Sequence, residues 1–234
     1  MAFLDVQRAV EGGGGPAERV ALRQTLVTLQ RWLWDTVGKA VCATLDEAPL
    51  PAVSDELRAV SSHVPGLRVL SGRSATVEGV LTALGRHSWA HFACHGDQDF
   101  QRPSAAALRL VDGRLSVLDL AGRLADRSRS AGGADLAYLS ACRTAAGGRD
   151  LPDEAIQLTA ALQMAGFRHV IGSQWAVADR VAAQVADDVY AGLRAGRQLD
   201  ADAAAVALDK AVDRVRRTHP DRPELWAALI HTGP

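Results

Sequence analysis

Trp89-Ala90-His91-Phe92-Ala93-Cys94-His95-Gly96 is the stretch on which the fold turns. A short apolar run closed by His-Gly reads as a buried strand over Trp89–Cys94. Runs of the same kind recur downstream at Leu136–Ala141 and His169–Gln174. Helical patterns follow them at Asp153–Ala165, at Asp179–Leu193 with Asp179 as its cap, and at Asp200–Arg217. A strand over Trp226–His231 ends the chain. Upstream lie a helix opened by Ser54 and Asp55 that runs to His63, a strand at Leu67–Leu70 and a helix at Thr76–Leu84. Short apolar runs alternating with helices of roughly 10–15 residues are the signature of βαβ units and a mostly parallel sheet. Leu108–Val111 and Arg114–Val117 flank Asp112-Gly113 and read as a hairpin, followed by a helix over Leu118–Leu124.

The N-terminal part has a different texture. Gly12-Gly13-Gly14-Gly15-Pro16 reads as a flexible tether, so residues 1–16 form a segment of their own. Val20, Leu22, Leu26, Leu29, Leu33, Val37 and Val41 recur at helical spacing and predict a long helix over 17–48, with Trp32 and Trp34 on it packing the helix onto the sheet. Residues 49–234 are then the α/β domain.

Composition narrows the function. The 234 residues are 48% hydrophobic and 23% charged, with a formal net charge of -1. A balanced charge argues against nucleic-acid or membrane-surface binding through bulk positive potential. No apolar run approaches the roughly 20 residues that span a bilayer, and the first residues lack a secretory h-region. Of the 26 basic residues only Lys39 and Lys210 are lysine, a bias that points to a GC-rich bacterial genome. Cys42, Cys94 and Cys142 are an odd set without metal-ligand spacing. The expectation is a cytoplasmic chain with reduced thiols and no cofactor or metal.

Two of the strands end in reactive residues. One runs into His95-Gly96, the other into Ser140-Ala141-Cys142-Arg143-Thr144. In open α/β sheets ligands bind at the carboxyl ends of strands. A thiolate there is a nucleophile, and an imidazole takes its proton and returns it to a leaving amine. Gly96 has no Cβ, so its amide approaches a substrate closely; with the amide of Cys142 it makes a candidate oxyanion hole. The caspase signature Q-A-C-[RQG]-G, with its His roughly 50 residues upstream, is matched at Ala141, Cys142 and Arg143, and His95 stands at nearly that distance. Cys94 is the rival nucleophile, but alternate strand residues face opposite sides, which sends Cys94 into the core. His91 and His95 lie about 13 Å apart on an extended strand, too far for one zinc ion. Trp175, at a strand's carboxyl end, either falls near the site or packs in the core. Asp150, Asp153 and Glu154 suit a helix N-terminus.

These blocks resemble the CHAT family of caspase-like domains, often found beside TPR repeats. The similarity lies in His91–Gly96, in Leu139–Ala145, in Val170-Ile171-Gly172-Ser173-Gln174-Trp175 with Asp179, and in Trp226–Gly233. It implies an α/β, caspase-like (caspase/hemoglobinase) three-layer fold with a mostly parallel central sheet flanked by helices. It implies a cysteine endopeptidase with His95 and Cys142 as its dyad, acting on a protein substrate under the control of a fused or bound sensor. Ser140, two residues before the nucleophile, corresponds to the wall of the pocket for the side chain preceding the scissile bond. It is small and neutral; Ser173 and Trp175 correspond to another wall. The family pattern also carries an early strand-bearing stretch that this sequence is expected to lack, since Leu45 runs almost directly to Leu50. That gap leaves a catalytically silent interaction module as the alternative.

Overall fold

Trp89–Ala93 lies in the interior of a six-stranded sheet in the computed structural model. The structure describes residues 40–43, 53–94, 96–97, 107–124, 134–140, 153–175, 177–195 and 198–234. All of them belong to one compact unit, Gly38–Pro234. In chain order the strands of the sheet are β1 (Ala40–Ala43), β2 (Arg68–Leu70), β3 (Trp89–Ala93), β7 (Ala134–Leu139), β8 (Phe167–Ser173) and β11 (Leu229–Thr232). Their spatial order is β11-β8-β7-β3-β1-β2. Every pairing is parallel except β11 against β8. A second small sheet joins β4 (Gly96–Asp97), β5 (Ala107–Leu110) and β6 (Gly113–Ser116), and β9 (Arg194–Ala195) pairs with β10 (Gln198–Leu199).

The helices are α1 (Val53–His63), α2 (Val77–Leu84), α3 (Val117–Leu124), α4 (Asp153–Met164), α5 (Asp179–Gly192), α6 (Ala204–Thr218) and the short α7 (Pro223–Trp226). The two-residue period of the strands divides the core into layers. Ala90, Phe92, Cys94, Ala137, Leu139 and Val170 pack on one face with residues of α2, the β5–β6 hairpin, α3 and α4. Trp89, Leu136, Tyr138 and Ile171 pack on the other face with α1, α5 and α6. A central strand buried on both faces needs apolar residues throughout, and β3 is buried at all five positions. The mixed α/β architecture, with a mostly parallel sheet flanked by helices, is as the sequence predicts.

Several boundaries differ from the sequence reading. Ala40–Ala43 is a strand between β3 and β2, not the end of a long helix, so Cys42 belongs to a strand. Its side chain is not among those described. The hairpin turns on Val111-Asp112, because Leu110 pairs with Gly113. Asp112 instead supports the start of α2, where its Oδ1 accepts from Val77 N–H at 2.8 Å. Asp179 does not cap its helix; Ala178 holds that position without a side-chain bond. Trp226 ends α7 rather than opening a strand, and the strand begins at Leu229. The rest of the reading for residues 1–39 and 44–52 lies outside the described residues.

Candidate active site

β3 and β7 are neighbours, and their parallel register sets Trp89 beside Leu136, His91 beside Tyr138 and Phe92 beside Leu139. At the carboxyl end, Ser140 N–H donates to the Phe92 carbonyl at 2.9 Å, extending the ladder one residue beyond β7. The chain segments that lead into His95 and into Cys142 therefore run side by side. His95 and Cys142 themselves lie outside the described residues. Cys94 is 3% exposed and packs in the core on the α2–α4 face, as the alternation of strand side chains requires. Gly96 pairs with Leu108 of β5 in the small sheet.

Three residues read from the sequence as pocket walls are described. Ser140 is half-buried at the end of β7. Ser173 is buried at the end of β8, two residues beyond Ile171, the partner of Tyr138. By strand parity Tyr138, Ser140, Ile171 and Ser173 share a sheet face. Trp175 is half-buried, and its indole N–H donates to the Glu224 carbonyl at 2.9 Å. Gln174 N–H donates to the Ala228 carbonyl at 2.7 Å beside it. Trp175 thus ties the end of β8 to α7.

Beneath Ser140 lies a polar group that the sequence reading missed. Glu56, in the first turn of α1, is 4% exposed. Its Oε2 accepts from Ser140 Oγ at 3.0 Å, and its Oε1 lies 3.0 Å from His91 Nε2. His91 is 1% exposed, stacks on Tyr138 with ring centroids 4.8 Å apart, and places Nδ1 3.2 Å from the Tyr190 hydroxyl. A carboxylate only accepts hydrogen bonds. His91 therefore donates from Nε2 to Glu56, and its Nδ1 faces the Tyr190 hydroxyl. Burial, followed by the Glu56 charge, raises the hydroxyls of Tyr138 and Tyr190 well above their ordinary values. Both stay neutral across the physiological range. The signal for Glu56 was present in the sequence: it sits on the same helical stripe as Val53 and Val60, where an acidic residue is costly unless partnered.

Among the described residues no group of three or more His, Cys, Asp or Glu side chains is arranged to hold a metal ion. Nor is any helix among them long and apolar enough to cross a membrane. Residues 15–234 match the model of a family described as the CHAT domain. No curated protein matches the chain.

Proposed function

The chain belongs to the CHAT domain family, and from that premise we propose that it is a cysteine endopeptidase of caspase-like fold, with a protein as substrate. Cys142 is the nucleophile, and His95 is the base that takes its proton and the acid that protonates the leaving amine. The amides of Gly96 and Cys142 receive the developing oxyanion. Ser140, Ser173 and Trp175 line the pocket for the side chain that precedes the scissile bond. A fused or bound sensor sets when the site works.

The observation that carries this reading is the pairing of β3 with β7. Two strands far apart in sequence, one followed by His-Gly and the other by Ser-Ala-Cys, are adjacent and parallel, so their carboxyl ends open at one place. That is where an open α/β sheet presents its ligand site. Face parity adds to it, since His91 and Ala93 on β3 share a side with Tyr138 and Ser140 on β7. The CHAT family is related to caspase-like cysteine peptidases, which supplies the reaction class.

The experiment is digestion of a proteome-derived peptide library, with new termini read by mass spectrometry. Wild-type protein produces a consistent cleavage motif. Cys142→Ala and His95→Ala each abolish it while melting at the wild-type temperature. A wild-type chain that cleaves nothing, yet binds a partner equally well before and after Cys142→Ala, supports the interaction module instead.

A further inference from the structure

We propose that Glu56 is a positioning residue: from α1 it holds the Ser140 hydroxyl and so fixes the end of β7, from which the chain runs two residues on to Cys142. The consequence at Cys142 rests on the endopeptidase reading above; the hold on the strand end does not.

Ser140 stands one residue beyond Leu139, the last of β7, where a strand frays most readily. Two bonds of different direction hold it. Its N–H lies along the sheet and donates to the Phe92 carbonyl at 2.9 Å. Its side chain stands off the sheet, as strand side chains do, and Oγ donates to Glu56 Oε2 at 3.0 Å. The first bond fixes the residue against β3, the second against the helix layer. The other oxygen of the same carboxylate, Oε1, lies 3.0 Å from His91 Nε2 on β3. One side chain therefore spans the neighbouring strands whose ends lead to His95 and Cys142.

The helix that carries Glu56 is itself held. His63, in the last turn of α1, places Nε2 2.7 Å from Asp187 Oδ1 on α5. Tyr190 of α5 closes the circuit, with its hydroxyl 3.2 Å from His91 Nδ1. Polar contacts thus run from α1 to β3, from β3 to α5, and from α5 back to α1. Stability does not require an acidic residue at position 56. Val53 and Val60 share its buried stripe, and replacing a buried ionisable network by apolar side chains of similar volume is often neutral or stabilising. What the carboxylate adds is two acceptors held in fixed directions, each aimed at a different strand. Its function is therefore geometric, and the residue it places begins the segment that leads to Cys142.

Hydrogen–deuterium exchange resolved to single amides reads the hold directly, with Val170 and Ile171 of β8 as internal reference. Ser140→Ala raises exchange at position 140 about tenfold, as expected for one lost hydrogen bond whose acceptor stays buried. The β8 amides remain as in the wild type. Ser140→Thr keeps the hydroxyl and restores the protection. Glu56→Met removes both acceptors and raises exchange at position 140 at least as much. Adding Ser140→Ala to it changes nothing further, because one bond links the two residues. Where Glu56→Met does not fold, Ser140→Ala and Ser140→Thr decide. Wild-type exchange at position 140 in Ser140→Ala overturns the proposal. So does a rise shared equally by β8, or a Ser140→Thr variant that exchanges like Ser140→Ala. Iodoacetamide reads the consequence: alkylation of Cys142 slows about tenfold in Ser140→Ala and recovers in Ser140→Thr. A rate unchanged while exchange at position 140 rises overturns the positioning of Cys142. A wild-type Cys142 no more reactive than in the urea-unfolded chain sinks the endopeptidase reading instead, and exchange at position 140 still decides whether Glu56 holds the strand end.

Discussion

At the scale of single residues, the molecule contains two histidine–carboxylate networks with different roles. The Glu56–His91 pair is buried and joins α1 to β3, with Ser140 at the end of β7 as a further partner of Glu56. The second joins His169 to His231, Nδ1 to Nε2 at 3.1 Å, and to Asp202, Nε2 to Oδ1 at 3.1 Å. It ties β11 and the turn before α6 to the start of β8. Burial, and after it the neighbouring His169, lowers the pKa of His231 below its ordinary 6.5. The unfolded chain therefore binds a proton there more readily than the folded one. Stability is complete above pH 6.5 and falls as the pH drops below it, until the folded value is passed. Asp202 acts in a lower window. The His169 hydrogen bond, followed by that of Arg168, holds its carboxyl below 3.8, and this contribution is present above pH 3.8 and lost as the pH falls from there through the folded value. Urea melts across about pH 5–8 should show the first loss. His231→Gln flattens the slope in that range. A wild-type midpoint independent of pH there, or an unchanged slope in the variant, contradicts the assignment.

At the scale of elements, α4 packs closely on β8. Gly172, in β8, faces Thr159 of α4, and a Cβ built on Gly172 meets Thr159 Cγ2 at 2.7 Å. Gly172→Ala therefore forces the buried Thr159 side chain to shift and costs about 1–3 kcal/mol by overpacking. Thr159→Ser removes the methyl and keeps the hydroxyl, so the double variant regains most of the loss in chemical denaturation. Equal destabilisation of the single and double variants contradicts this packing.

Much of this layer was legible before the structure. The apolar runs of β3, β7 and β8, and the helices α2, α4 and α5, follow from patterning, because a doubly covered parallel strand has no polar face. Ala40-Val41-Cys42-Ala43 was not legible. A four-residue apolar run has no period that separates strand from buried helix, and the helical spacing before it carries straight through. The two-residue strands β4, β9 and β10 have no pattern of their own. Glu56 escaped because its partners are remote in sequence, Ser140 at the end of β7 and His91 on β3, and only the fold brings them together.

At the scale of the whole molecule, the sheet sets the segments that lead into His95 and Cys142 side by side, and the helices pack on its two faces. α1 brings a buried carboxylate, α5 brings Tyr190, and α7 anchors Trp175. The order of the sheet assembles those contributions from segments distributed along the described chain. The central claim is that this arrangement activates Cys142 as a nucleophile. It is tested most directly by the rates at which iodoacetamide alkylates Cys42, Cys94 and Cys142 in the folded protein, resolved by peptide mass spectrometry, in wild type and in His95→Ala. The account predicts that Cys142 reacts first, that His95→Ala slows it by about tenfold or more, and that Cys94, 3% exposed in the core, is protected in both proteins. Alkylation of Cys94 ahead of Cys142, or a Cys142 rate indifferent to His95, contradicts it.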